Sequence, residues 1–246
     1  MSKSRLRIFA GPNGSGKSTF IQGFQSKPNL KLGYYVNADD IEKELKTSHT
    51  LNISHFGIKI TTRQIRCYFK NSTFAPLKLN DPNIGGHFTV KNNVLSVSTA
   101  LKLNSYIAAD LAEFIRQQLL KTQGSFLFET VMSDANKIKF LKKAKRKGLT
   151  IYLYFFATED PIININRVAL RVAQHGHPVN AATIKKRYYK SLQNLKDAIT
   201  ISDRAYLFDN SGEVSILFAE ITNGKEVLIK DSENIPSWFV KYVLNA

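Results

Sequence analysis

Cysteine is almost missing from this chain. One residue, Cys67, stands alone in 246, which excludes an intramolecular disulfide and a cysteine-based zinc site and suits a reducing cytosol. Acidic residues are scarce beside basic ones. Nineteen Asp and Glu face 35 Lys and Arg, for a formal net charge of +16. That balance favours anionic partners, among them nucleotides, nucleic acid, sugar phosphates or an acidic protein, without choosing among them. Long apolar runs are missing too: none approaches the ~18–20 residues of a membrane span. The first strand starts at Leu6, which leaves no room for the apolar region of a signal peptide. The expectation is a cytoplasmic protein with no membrane partner. Internal repeats and low-complexity linkers are likewise absent. Apolar content of 43% and charged content of 22% are ordinary for a globular chain, and the length suits one domain with an insertion.

What is present is organised around Gly11-Pro12-Asn13-Gly14-Ser15-Gly16-Lys17-Ser18, followed by Thr19. This is a complete G-x-x-x-x-G-K-[ST] phosphate loop. Leu6–Ala10 before it reads as a short buried strand, and Ser18–Phe24 after it reads as the start of a helix. Glycines let the backbone fold back until its N–H groups form an anion nest. The helix N-terminus adds unpaired donors and partial positive charge. Lys17 is expected to reach the β- and γ-phosphates and the Ser18 hydroxyl to ligate Mg2+. ATP and Mg2+ are therefore the expected ligands.

Beyond the loop the pattern is α/β. Leu32–Ala38 reads as a second strand that delivers Asp39 and Asp40 at its C-terminal end, where a helix starts at Ile41. Ligands of open α/β sheets lie beyond such strand ends. Asp also favours helix N-caps, so one of the pair is expected to cap and the other to be available for chemistry. Residues 47–103 break the rhythm and read as an insertion: a helix over Asn52–Asn71, a turn-rich stretch from Phe74 to Gly86, and a β-hairpin over Phe88–Val97. The α/β order resumes with a helix at 104–122 and a strand at Ser125–Glu129. A lysine-rich helix follows, then a buried strand at Thr150–Phe156 and a helix opened by Asp160-Pro161. A second helix over Ala181–Lys196 and a strand at Ala205–Phe208 come next. A hairpin within 213–230 and a short helix from Pro236 close the chain. The lysines of 137–147 read as a solvated face, since Ile138, Leu141 and Ala144 give that helix a buried side.

Phosphoryl transfer needs positioned phosphates, a metal, a base for the acceptor hydroxyl and positive charge on the transferring group. Asp39 or Asp40 is the candidate base. Glu129 either holds Mg2+ through water or binds the acceptor. Arg167, Arg171 and Arg187 flank the turn containing His175 and His177 and are placed to form a lid over the triphosphate.

The chain resembles the zeta toxin family of P-loop kinases, in particular a shorter zeta-like branch. The residues that carry the resemblance are Gly11–Thr19, Val36–Ile41 and Phe128-Glu129-Thr130. A further block runs through Asn166-Arg167-Val168, Arg171-Val172, Gly176–Val179, Arg187–Leu192 and Phe208–Ser211. The resemblance implies a single P-loop kinase-like domain over 1–246, with 47–103 inserted. Its core would be a nucleotide-kinase-like parallel sheet ordered 2-3-1-4-5 between helices. It also implies Asp39 as base, Glu129 as acceptor-binding acid, and Arg167 and Arg171 as phosphate clamps, and it sets Asp209-Asn210 beside the adenine. Toxins of this family phosphorylate the 3′-hydroxyl of UDP-N-acetylglucosamine and are restrained by an antitoxin. Two features depart from the pattern: Val131, Met132 and Ser133 replace small polar and basic residues after Glu129, and His175 replaces a glycine. Val131 cannot donate the hydrogen bond its counterpart makes, and sites built around such a bond lose much affinity without it. The readings that follow are a kinase with a small-molecule acceptor, a nucleic-acid-binding ATPase or polynucleotide kinase, and a non-catalytic nucleotide-binding module.

Overall fold

The computed structural model describes residues 3–26, 32–72, 74–174, 176 and 178–245. In chain order the elements are β1 (Arg5–Ala10), α1 (Lys17–Gln25), β2 (Tyr34–Tyr35), α2 (Ala38–Ser48), β3 (Thr50–Asn52), α3 (Thr62–Asn71) and α4 (Ala75–Leu79). They continue with β4 (Phe88–Lys91), β5 (Val94–Val97), α5 (Ser105–Thr122), β6 (Phe126–Thr130), α6 (Ala135–Arg146), β7 (Thr150–Ala157) and α7 (Pro161–Ala173). The last are α8 (Ala181–Gln193), α9 (Leu195–Ile201), β8 (Arg204–Asp209), β9 (Ile216–Thr222), β10 (Glu226–Ile229) and α10 (Ser237–Phe239). The chain divides into two compact units, Met1–Leu32 with Leu127–Ala246, and Gly33–Phe126.

The first unit is built on the sheet β10-β9-β8-β7-β1-β6. β1 pairs parallel with β7, from Arg5 opposite Thr150 to Ala10 opposite Phe155, and β7 pairs parallel with β8. β9 and β10 extend this side antiparallel. The strands alternate as a two-faced sheet requires. Leu6, Ile8, Ile151, Leu153, Phe155, Ala205 and Leu207 are fully buried. The other face carries an aromatic ladder: Phe9 stacks on Tyr154 at 4.7 Å and Tyr154 on Tyr206 at 5.0 Å.

The second unit opens on β2, whose Tyr34 N–H donates to the Ser125 carbonyl at 3.0 Å just before β6. Strand order thus runs β8-β7-β1-β6-β2 through the core, which is the 2-3-1-4-5 arrangement read from the resemblance. β3, β5 and β4 form a separate antiparallel sheet, and the expected hairpin is β4–β5. Residues 47–103 all fall in this unit.

Three local expectations are revised. The helix read over Asn52–Asn71 is two pieces: a 3-10 turn at Ile53–Phe56 capped by the Asn52 side chain, then α3, started by a capping box between Thr61 and Gln64. Inside the turn-rich stretch lies α4, with Ala75 N–H, Ser72 Oγ and Tyr68 Oη all donating to the buried Asp110 carboxylate. The helix read to Lys196 ends at Gln193, and α9 follows as a separate helix. Among the described residues no helix is long and apolar enough to cross a membrane.

Candidate phosphate-binding site

The phosphate loop leaves the C-terminal end of β1 and enters α1, as the sequence pattern predicts. Phe20 seats α1 on the sheet, packing 5.0 Å from Phe156 and 4.9 Å from Phe208, while those two rings stack on each other at 4.6 Å. Phe24 packs on Phe9 and Tyr154. This aromatic seat holds the N-terminus of α1 at the strand ends. Gly16 is the helix cap, in left-handed conformation at φ 87°. A Cβ there would lie 2.2 Å from Asn210 Nδ2, and one on Gly14 would lie 2.6 Å from the Asn164 carbonyl. At Gly14 the clash is with backbone, and at both positions the positive φ disfavours any other residue.

Lys17 is buried, and its ammonium donates to the carbonyls of Gly11 at 2.8 Å and Pro12 at 2.7 Å. Burial pushes its pKa down to about 8; the Glu129 carboxylate works against that shift and the Arg171 guanidinium adds to it. Ser18 Oγ donates to Glu129 Oε2 at 2.8 Å. A hydroxyl and a carboxylate at the mouth of a phosphate loop form a hard-oxygen set suited to Mg2+, so the residues present fit that ion.

Two asparagines hold the loop from either side. Asn164 of α7 donates from Nδ2 to the Asn13 carbonyl at 2.8 Å and accepts at Oδ1 from the Thr158 hydroxyl. Asn210 donates from Nδ2 to the Ser15 carbonyl at 2.8 Å. Arg167 sends Nη1 to the Asn210 carbonyl at 2.6 Å and Nη2 to the Gly212 carbonyl at 2.7 Å. Asp209 accepts from Ser211 Oγ at 2.9 Å and Trp238 Nε1 at 3.1 Å. Arg171 is exposed on the last turn of α7 and Arg187 lies on α8. His175 and His177 lie outside the described residues.

The structure thus brings Gly11–Ser18, Glu129, Arg167 and Asn210 together in the first unit. Asp39 and Asp40 belong to the second unit, exposed in the first turn of α2. Neither caps that helix, contrary to expectation. Asn37 does, accepting from Asp39 N–H at 2.9 Å, because the helix starts earlier, at Ala38. After Glu129, Val131 and Ser133 are half-buried and Met132 is buried with φ 59°, its carbonyl taken by Asn194 Nδ2 at 2.8 Å.

Reading the sequence alone assigns no role to Asn164 or Thr158. The signal was there: Asn164 precedes Val168 by one helical turn, so it sits on the buried side of α7, and a buried amide needs partners.

No protein-family model matches this sequence, and no curated protein matches it. Solved structures do. A chain from the PezAT chromosomal toxin–antitoxin system of Streptococcus pneumoniae superposes with TM-score 0.52 at 12% identity, over 100% of this chain and 80% of that one. The AvrRxo1-ORF1:-ORF2 structure with ATP gives TM-score 0.50 at 13% identity, over 94% of this chain but 62% of that one. At such identities the likeness is one of fold, and it meets the resemblance read from the motifs.

Proposed function

We propose that the chain is an ATP- and Mg2+-dependent kinase of the zeta toxin type, acting on a hydroxyl of a small molecule such as a nucleotide sugar. The observation that carries this reading is the phosphate loop, already shaped around a buried Lys17 with Ser18 and Glu129 joined at its mouth. Fold likeness to a chain from a toxin–antitoxin system, and to one whose structure was determined with ATP, supports it. An antitoxin is the proposed protein partner. In this reading 1–246 works as one kinase-like domain with 47–103 as an insertion that shapes the acceptor pocket.

The roles follow from the chemistry of transfer. Loop N–H groups and Lys17 bind the β- and γ-phosphates. Ser18 and Glu129 would hold Mg2+, which supplies neutralisation of the phosphate charge. Asp39 takes the proton of the acceptor hydroxyl. The hydroxyl oxygen bonds to the γ-phosphorus, the bond to the β-phosphate oxygen breaks, and ADP leaves. Arg171 balances the charge that develops.

An ATP-consumption screen over nucleotide sugars, nucleosides and oligonucleotides, with mass spectrometry of the products, tests the proposal. Asp39→Ala is expected to keep ATP binding and lose transfer; turnover retained there, with loss in Asp40→Ala, moves the base to Asp40. A second reading, with a polynucleotide as acceptor, draws on α6. Lys139, Lys142, Lys143, Lys145 and Arg146 are all exposed there, beside a cleft of about 490 Å³ lined by Lys142, Lys145, Arg146 and Ile201. Turnover confined to the oligonucleotide pool decides for it.

A further inference from the structure

We infer that Arg167 is a positioning residue that shapes the phosphate loop through Asn210, rather than a ligand of the phosphates. The inference rests on the nucleotide-binding part of the function proposed above.

An anion nest requires backbone N–H groups to converge, which requires the carbonyls between them to be turned away and held. In this loop four such carbonyls have a side-chain holder. Gly11 and Pro12 are held by Lys17, Asn13 by Asn164 and Ser15 by Asn210. When Lys17 turns to bind phosphate it releases the first two, of which Pro12 still accepts from the Ser15 N–H at 3.3 Å. Asn164 and Asn210 are then the side chains that still hold the loop in shape.

Those two asparagines are secured differently. Asn164 is fully buried in α7 and fixed by Thr158. Asn210 lies past the end of β8, on the connection to β9. Its N–H donates to the Ala157 carbonyl at 2.8 Å, which ties the near side. Arg167 ties the far side: its two terminal nitrogens bind carbonyls two residues apart, Asn210 and Gly212. A guanidinium offers a planar fork at fixed separation, suited to bridging two acceptors, and a lysine ammonium cannot reproduce it. The fork is directed at the connection, and the Asn210 amide it positions sits directly on the Gly16 cap.

The test is a double-mutant cycle on nucleotide affinity, read by titration calorimetry with ADP and with Mg-ATP. Arg167→Ala and Asn210→Ala are each expected to weaken both nucleotides by a similar factor, about tenfold. The double variant is expected to be no weaker than either alone, since both remove one linkage. Arg167→Lys should behave like Arg167→Ala. Arg167→Gln, which keeps most of the aliphatic stem and one amide donor, keeps the test open should Arg167→Ala fail to fold; it is expected to weaken ADP and ATP alike. A loss in Arg167→Ala much larger for ATP than for ADP, additive with Asn210→Ala, overturns the inference and makes Arg167 a γ-phosphate ligand. Wild-type protein that binds neither nucleotide overturns the proposed function, and this inference with it.

Discussion

Lys17 titrates in an unusual range because it is buried beside the loop it serves. Its pKa stands at about 8, so below that pH the free protein already carries the ammonium that phosphate requires. Above it, binding must take up a proton, because the phosphates favour the charged form. Nucleotide affinity is therefore expected to be level below about pH 8 and to fall by up to about tenfold per pH unit above it. Calorimetry across that range checks this, and a flat profile would show that burial does not tune the lysine. Lys17→Ala should lose both the affinity and its pH dependence. The motif marks Lys17, Ser18 and the glycines directly, since their spacing dictates a local backbone shape. It does not reveal that Ser18 meets Glu129, 111 residues away, or that Arg167 faces two carbonyls.

At the scale of elements, helix starts divide into those with local caps and those without. Asp134, Asp160, Asn180 and Asn104 each accept from an N–H two residues on, and α3 has its Thr61–Gln64 box. Such caps are worth about 1 kcal/mol, so Thr61→Ala is expected to lower stability by that amount. α4 starts differently: no side chain caps it locally, and Ala75 N–H donates instead to Asp110, 35 residues away. Asp110 also accepts from Ser72 and Tyr68, and Asp110→Ala would strand those donors. A loss on the order of 3 kcal/mol is expected, well beyond that of Thr61→Ala. Urea unfolding followed by circular dichroism compares the two. A loss no larger than that of Thr61→Ala would mean that water replaces the carboxylate. This difference explains why α4 reads as a turn in the sequence. Its starting signal is a distant carboxylate, whereas those of α6, α7 and α8 lie beside them.

For the molecule as a whole, the single tryptophan is a useful reporter. Trp238 is buried against Phe155, Phe218 and Phe239 and bonded to Asp209, all within the unit that carries the phosphate loop. A ligand that binds only the folded form adds stability by mass action, about 2.7 kcal/mol at ~100 times its dissociation constant. Mg-ATP is therefore expected to raise the Trp238 unfolding midpoint in wild-type protein and leave it unchanged in Lys17→Ala. An equal rise in both would place the nucleotide elsewhere. The net charge of +16 acts at this scale as well, attracting anions without selecting one.

The phosphate loop, the α/β order of strands and helices and most helix starts are legible in the chain before it folds. Each follows from rules that act over a few residues: glycine spacing, apolar periodicity, and caps that reach the next turn. Which donors hold the loop in shape depends on packing between distant segments. Asn164 reaches Asn13 across 151 residues of chain and Asn210 reaches Ser15 across 195. Such partners are chosen by how α7 and the end of β8 pack around the loop, and no local pattern encodes that packing.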